Sequence, residues 1–430
     1  MTHYAIPGFH IHDHRFSVPL NWADPSGAQI AVFAREVTAA GRDSRNLPVL
    51  LYLQGGPGGK SPRPVEGGPG WLAVATQRFR VLLLDQRGTG RSHPVQAHHM
   101  AGLTAEEGAR YLAHFRADSI VRDAEHIRRT LLGDDKWYTL GQSYGGFLTL
   151  SYLSHAPEGL AGCYITGGLP GIHADAEEVY RRTFRRVADK NAQYFRRYPQ
   201  DRALLDQLAD VLAARDVRLA DGDRLTVQRL QSLGHGLGMS DGFETVHWLL
   251  DEAFCADGQL ADGFLDAIGK ATSFAQRPLF AAIHEPIYSQ NGARSDWAAA
   301  RVQADLPQFA PTARPLLFTG EMIFPWMFAE MQALHPFAAA AEALARMPLA
   351  PALYDPLRLA ANEVPLAAAI YTDDMYVDLD LSLQTARSIG NTRVWLTNEY
   401  EHNGLRASPR VLERLLGMAD AQEGFNFMVL

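Results

Sequence analysis

The chain has 430 residues, 47% of them apolar and 20% charged, enough to bury a sizeable core and too apolar for a disordered chain. Lys and Arg number 40 against 48 acids, a net charge of −8, which excludes a protein whose main affinity comes from neutralising nucleic-acid phosphates. Two cysteines, Cys163 and Cys255, exclude a disulfide scaffold or a Cys-rich metal site; both stand in apolar contexts and read as small buried hydrophobes. Residues 1–25 lack the basic start and apolar run of a secretory leader. No uncharged stretch of about 18 apolar residues is present; the Ala-rich run Phe337–Leu344 is short and carries Glu342. A cytoplasmic protein without a membrane partner is expected.

From residue 29 to 170 the sequence alternates between strand and helix. Gln29–Val37 reads as a strand, Pro48–Gln54 and Arg80–Asp85 as strands built on the continuous apolar runs Val49–Leu53 and Val81–Leu84, and Ser119–Leu132 as a helix stopped by Gly133. A strand at Trp137–Leu140, a glycine-rich turn, a helix over Tyr144–Ala156 and a strand at Ala161–Thr166 follow. Apolar strands separated by helices imply a parallel sheet covered on both faces. From Gly171 to Glu363 helical periodicity takes over, including Asp175–Tyr198, Asp201–Ala214, Thr245–Ala253 and Asp262–Ala271. Strands then return at Val364–Tyr371 and Thr392–Thr397. The expected organisation is an α/β core in two pieces, residues 1–170 and 364–430, with a helical block, 171–363, inserted between them.

The strongest chemical signal is Gly141-Gln142-Ser143-Tyr144-Gly145-Gly146, between a strand and a helix. G-x-S-x-G on such a sharp turn exposes the serine hydroxyl at the sheet edge, so Ser143 reads as a nucleophile. The segment Leu53-Gln54-Gly55-Gly56-Pro57-Gly58-Gly59 follows an apolar strand and reads as an oxyanion loop. A phosphate cradle is the alternative, but no G-x-x-x-x-G-K-[ST] is present and Pro57 removes a donor. A serine needs a base and the base needs an orienting acid, in the chain order Ser, acid, His. The strand Val364–Tyr371 runs into Asp373, Asp374 and Asp378, of which Asp374 is preferred; His402 stands in a loop after the last strand and before a helix at Pro409–Leu416.

Gln54–Gly58, Asp85-Gln86-Arg87-Gly88-Thr89-Gly90-Arg91-Ser92, Gly141–Gly146 and Glu401-His402-Asn403 together resemble the proline iminopeptidase (prolyl aminopeptidase) family of α/β-hydrolases, in the family's order and over residues 10–420. The resemblance implies an α/β-hydrolase fold, a mostly parallel sheet with helices on both faces, and an inserted helical cap. It also implies removal of N-terminal proline from short peptides without metal or organic cofactor. It matches Ser143, His402 and Asp374 to the triad and the Gly56 and Tyr144 N–H groups to the oxyanion hole, with Asp85 and Arg87 stabilising a loop under the site. Where family members commonly have His at the start of the oxyanion loop, this chain has Gln54.

Family members hold the substrate's free amine with cap carboxylates, since a cation in a closed pocket needs charge-assisted partners. The candidates are Glu285, Glu244 and, third, Glu321; Trp248, Tyr288, Phe324 and Trp326 are candidate walls of a proline pocket or ordinary core. Two metal-like patterns carry less weight. His10-Ile11-His12-Asp13-His14 has no strand before it and no second ligand cluster in the sequence, so a solvated N-terminal strand is expected; Glu244–His247 is a single E-x-x-H where a dinuclear site needs two. The same core also fits hydrolysis of other aminoacyl amides or small esters, or a non-catalytic binding relative.

Overall fold

The computed structural model describes residues 2–41, 43–65, 68 and 70–420. Among these, nine strands form one sheet in the order β1-β2-β3-β5-β4-β6-β7-β8-β9. They are β1 (Thr2–Ile6), β2 (Phe9–Pro19), β3 (Gln29–Ala39), β4 (Val49–Leu53), β5 (Arg80–Asp85), β6 (Trp137–Gln142), β7 (Leu160–Thr166), β8 (Leu366–Tyr371) and β9 (Thr392–Thr397). From β5 to β9 all neighbours are parallel, whereas β1, β2, β3 and β5 pair antiparallel.

The unbroken apolar runs of β4 and β5 are explained by the layers above and below. Leu51, Leu53, Leu82 and Leu84 face a core shared with the helices Ala117–Leu132 and Tyr144–His155. Their neighbours Leu50, Tyr52, Val81 and Leu83 point the other way, into a core with Trp71, Leu412 and Leu415 from the helices Gly70–Ala75 and Arg410–Asp420. Successive side chains alternate across a strand, so a sheet covered on both faces needs every residue apolar.

Between β7 and β8 the described residues form helices, from Ala176–Arg197 to Pro356–Ala360, and none of the sheet's strands. This stretch roofs the carboxyl ends of the parallel strands. The sequence expectation for the last core segment, 364–430, lies within the described residues as far as Asp420.

Two expectations need correction. The His10–His14 stretch is a strand with His10 exposed, but it is not isolated and not solvated throughout, because β1 precedes it and β1–β2–β3 extend the sheet as a ribbon that covers its inward residues. Asp13 and His14 are buried; Asp13 accepts hydrogen bonds from Arg35 at 2.7 and 3.0 Å and from Arg91 at 2.8 Å. Cys163 is buried as expected, but Cys255 is exposed, in a turn beyond the helix Gly242–Asp251.

Candidate active site

Ser143 stands where β6 turns into the helix Tyr144–His155, with φ 56° and ψ −124°, a left-handed conformation that a non-glycine residue adopts at a local cost. The turn closes tightly enough that a Cβ on Gly145 would lie 1.9 Å from the Leu53 carbonyl oxygen, and one on Gly55 would meet Ser143 Cβ at 2.9 Å. Glycine at both places is therefore what lets the β4 loop and the serine turn touch. Ser143 Oγ lies 2.9 Å from His402 Nε2, and His402 Nδ1 lies 2.6 Å from Asp374 Oδ2. The other Asp374 oxygen accepts the backbone N–H groups of Tyr376 (2.8 Å) and Val377 (3.0 Å), so the carboxylate has one fixed orientation. The neighbouring acids are engaged elsewhere. Asp373 is exposed, and Asp378 caps the helix Leu379–Ser388 through the N–H groups of Asp380 and Leu381 while facing Arg182 and Arg186.

His402 is buried. Burial alone would lower its pKa, but the charge and hydrogen bond of Asp374, with smaller contributions from Glu321 and Glu401, hold it above the ordinary imidazole value. Its loop is anchored from the helical stretch: the His402 N–H bonds Gly238 O at 3.2 Å, Asn403 Oδ1 accepts from Ser240 N and Oγ at 3.0 and 2.7 Å, and Glu401 pairs with Lys190 at 2.5 Å. The Tyr376 ring lies 4.6 Å from the imidazole, and its hydroxyl donates to His235 O at 2.6 Å.

On the other side of Ser143 runs the loop Gln54–Gly59. Gln86 Nε2 donates to Gln54 O at 2.8 Å, and the Gln54 side chain accepts from Tyr52 OH at 3.2 Å, so Gln54 braces the loop. Gly56 lines the cavity, and the helix that begins at Tyr144 presents its first N–H groups at the same end. Asp85 holds the segment beneath: it accepts from Ser61 N (3.1 Å) and Arg91 N (2.9 Å) and pairs with Arg63 at 2.6 Å. Arg87 is fully buried in a bidentate pair with Asp123 at 2.5 and 2.6 Å and donates to the carbonyls of Pro19, Leu20 and His114, which ties β2, the β5 loop and the following helices together.

A cavity of about 350 Å³ opens over Ser143 and His402. Tyr52, Trp71 and Phe280 supply aromatic wall; His235, Arg277 and Glu321 come from the helical stretch. Among the three acids considered from the sequence, only Glu321 lines this space. Burial first, and the Asp374 charge with it, raises Glu321 to about 7 against the opposing pull of His402 and Arg277. His235 Nε2 is 4.0 Å from Glu321 Oε1, but burial and Arg277 lower that imidazole to about 3, so it is neutral and brings no charge to Glu321.

The other candidate binding residues lie elsewhere, which corrects the sequence reading. Glu285 is buried, but both its oxygens accept backbone N–H groups, Ala298 at 3.0 Å and Ala299 at 2.8 Å, at the start of the helix Ala298–Ala304. Glu244 is partly exposed and paired with Arg197; Trp248 is 59% exposed. Tyr288 packs between the rings of Phe147 and Tyr180, at 6.0 and 6.1 Å, and Phe324 is buried beside Trp326 rather than lining the cavity. His247 bonds Asp201 at 2.9 Å and stacks on Tyr198, so Glu244 and His247 share no ligand position. The cavity aromatics were missed because each comes from a different element. Phe280 follows Pro278 in a short helix, Trp71 lies in another, and Tyr52 sits inside β4, where it reads as core.

Residues 48–405 match the family described as alpha/beta hydrolase fold. The chain is 48% identical over 417 residues to a proline iminopeptidase of Aeromonas sobria, which spans 96% of this chain and 97% of that one. It is 35% identical over 404 residues to a proline iminopeptidase of Aspergillus aculeatus, covering 91% of this chain and 89% of the other. A shorter match, 30% over 132 residues, joins 31% of the chain to 38% of the proline iminopeptidase of Thermoplasma volcanium. With the serine turn, the glycine-rich β4 loop and the histidine loop converging on one cavity, the chain belongs to the proline iminopeptidase family of α/β-hydrolases.

Proposed function

We propose that the protein is a serine exopeptidase that releases proline from the N-terminus of short peptides. The observation that carries this reading is the Ser143–His402–Asp374 relay at 2.9 and 2.6 Å, opening on a cavity with one carboxylate, Glu321, in its roof.

Ser143 Oγ attacks the prolyl carbonyl carbon while His402 Nε2 takes the hydroxyl proton; Asp374 fixes the imidazole tautomer and stabilises its charged form. The oxyanion is held by the N–H groups of Gly56 and Tyr144, a contribution of ~10²–10³ in turnover for each such donor. His402 then gives its proton to the departing amine, the C–N bond breaks, and the prolyl group remains as an ester on Ser143. Water, deprotonated by His402, cleaves that ester and returns the proton to Ser143. Residues 1–170 and 364–430 supply this machinery, and residues 171–363 act as the cap.

Glu321 holds the ammonium of the substrate's N-terminal proline. A charged amine brought out of water needs an ionic partner, and a carboxylate raised by burial regains its charge when a cation arrives. The aromatic wall of Tyr52, Trp71 and Phe280 packs the pyrrolidine ring.

The reading is tested with a panel of aminoacyl β-naphthylamides and acyl esters on wild type and Ser143→Ala. The expected result is a preference for the prolyl amide, a loss of ~10⁴–10⁶ in the variant, and fluorophosphonate labelling that disappears with the hydroxyl. Equal turnover of alanyl, leucyl and acetyl substrates would replace the prolyl assignment with a broader acyl hydrolase; labelling that persists in Ser143→Ala would overturn the nucleophile.

A further inference from the structure

The antiparallel end of the sheet carries a cluster of imidazoles and a carboxylate that hydrolysis does not use. In the pairing register His3 lies opposite His12, and His12 lies opposite Glu36. Directly opposed residues project to the same face, as do residues two apart on one strand, so His3, His12, His14 and Glu36 share one face. One ligand atom from each of His12, His14 and Glu36 lies within 4.8 Å of the other two. The His14 Nε2 to Glu36 Oε2 distance is 3.1 Å, and the His12 ring centroid lies 3.9 Å from that of His3 and 4.0 Å from that of His14.

Among the described residues, His12 Nε2 is buried and has no hydrogen-bond partner. A buried polar atom left in that condition is costly and calls for an explanation. Glu36 is already oriented: Arg80 holds Oε1 at 3.2 Å, which leaves Oε2 turned to the histidines.

We propose that His12, His14 and Glu36 form a binding site for a divalent first-row transition cation of the Zn²⁺ type, tying β2 to β3. Two imidazoles and a carboxylate are a common zinc donor set, with bonds of about 2.0–2.2 Å and ligand atoms about 3.3–3.6 Å apart. The present separations approach that geometry and need side-chain adjustment only. The cation replaces the His14–Glu36 hydrogen bond, Arg80 stays on Oε1 as the orienting partner, and water or His3 completes the coordination. The cluster is remote from catalysis: Glu36 lies opposite Leu82, and Arg80 opens β5, whereas the catalytic loops leave the far ends of the parallel strands. The site is therefore a structural clamp, and peptide hydrolysis takes nothing from it.

The test uses the untagged full chain, stripped with EDTA and dialysed, then titrated with ZnCl₂ by calorimetry and followed by thermal melting. Wild type is expected to bind one cation per chain with micromolar affinity and to melt higher when loaded. His12→Gln and Glu36→Gln each weaken binding by about tenfold or more, while the stripped variants hydrolyse substrate as the stripped wild type does. His12 is only partly buried, so its variant keeps the fold, and the melting curve of the stripped protein verifies this. Absence of saturable binding to wild type overturns the proposal. So does binding that neither substitution weakens, or binding abolished instead by His99→Ala in the separate His93–His98–His99 ring cluster.

Discussion

His402 works beneath three carboxylates of different standing. Asp374 touches its Nδ1, Glu401 is turned away to Lys190, and Glu321 faces the same cavity without a direct bond to it. Removing the Glu321 charge therefore has two separable effects. First, kcat/KM for a prolyl arylamide falls, by about tenfold to a hundredfold, the worth of a charge-assisted bond, while a small acetate ester is spared. Second, the imidazole loses a neighbour that holds its pKa up. Hydrolysis needs neutral His402, so activity falls as pH drops through that value. In Glu321→Gln the acid limb for ester hydrolysis moves to lower pH. A pH–rate profile on both substrates checks this; an unmoved limb together with an unchanged KM would remove Glu321 from the site. The sequence reading put Glu285 ahead of Glu321, although both are acids in largely apolar stretches. What separates them is the direction of the carboxylate, into a helix start for one and into the cavity for the other, and that depends on contacts far away in sequence.

The elements explain why that helix start matters. The helix Ala298–Ala304 opens with N–H groups that have no partner within the helix, and the Glu285 carboxylate takes two of them. Burial nonetheless raises Glu285 to about 7, with the Ala299 and Ala298 hydrogen bonds opposing it. The folded state then binds a proton the unfolded chain has released, so this stabilisation is full below about pH 4.5 and is lost as pH rises through about 7. A shift of that size is worth on the order of 3 kcal/mol. The expected outcome is that the melting temperature of wild type minus that of Glu285→Gln is larger at acid than at alkaline pH; a difference independent of pH would contradict it. The serine turn gives a second expectation. A methyl at position 145 collides with the Leu53 carbonyl, so Gly145→Ala is expected to push β4 and its loop away from Ser143 and abolish turnover; near-normal kinetics would contradict so close an approach. These motifs were legible because each is local: a strand, a glycine-rich turn and a helix start in consecutive residues. Strands β4, β5 and β8 were legible for a similar reason, since burial on both faces writes a nearly continuous apolar run. The β1–β2 ribbon was legible only in part: the His10–His14 stretch reads as a strand, but its place between β1 and β3, which buries Asp13 and His14, has no such signature.

At the scale of the whole molecule, the helical stretch between β7 and β8 does more than cover the cavity. Gly238, Ser240 and Lys190 hold the histidine loop in place, so the roof and the base are one assembly. The same stretch supplies Glu321, Arg277, His235 and Phe280, which give the cavity its charge and its wall. On the proposed reading the amine anchor comes from this stretch and the proline wall from both parts, Tyr52 and Trp71 from the core and Phe280 from the helices, whose inward faces are not legible in sequence. The most direct measurement of substrate choice is the hydrolysis of prolyl-β-naphthylamide beside its N-acetylated form by the wild-type enzyme. If Glu321 holds the amine as proposed, the free-amine substrate is cleaved and the acetylated one is not. Comparable cleavage of both would leave the hydrolase core standing and contradict the anchored-amine exopeptidase.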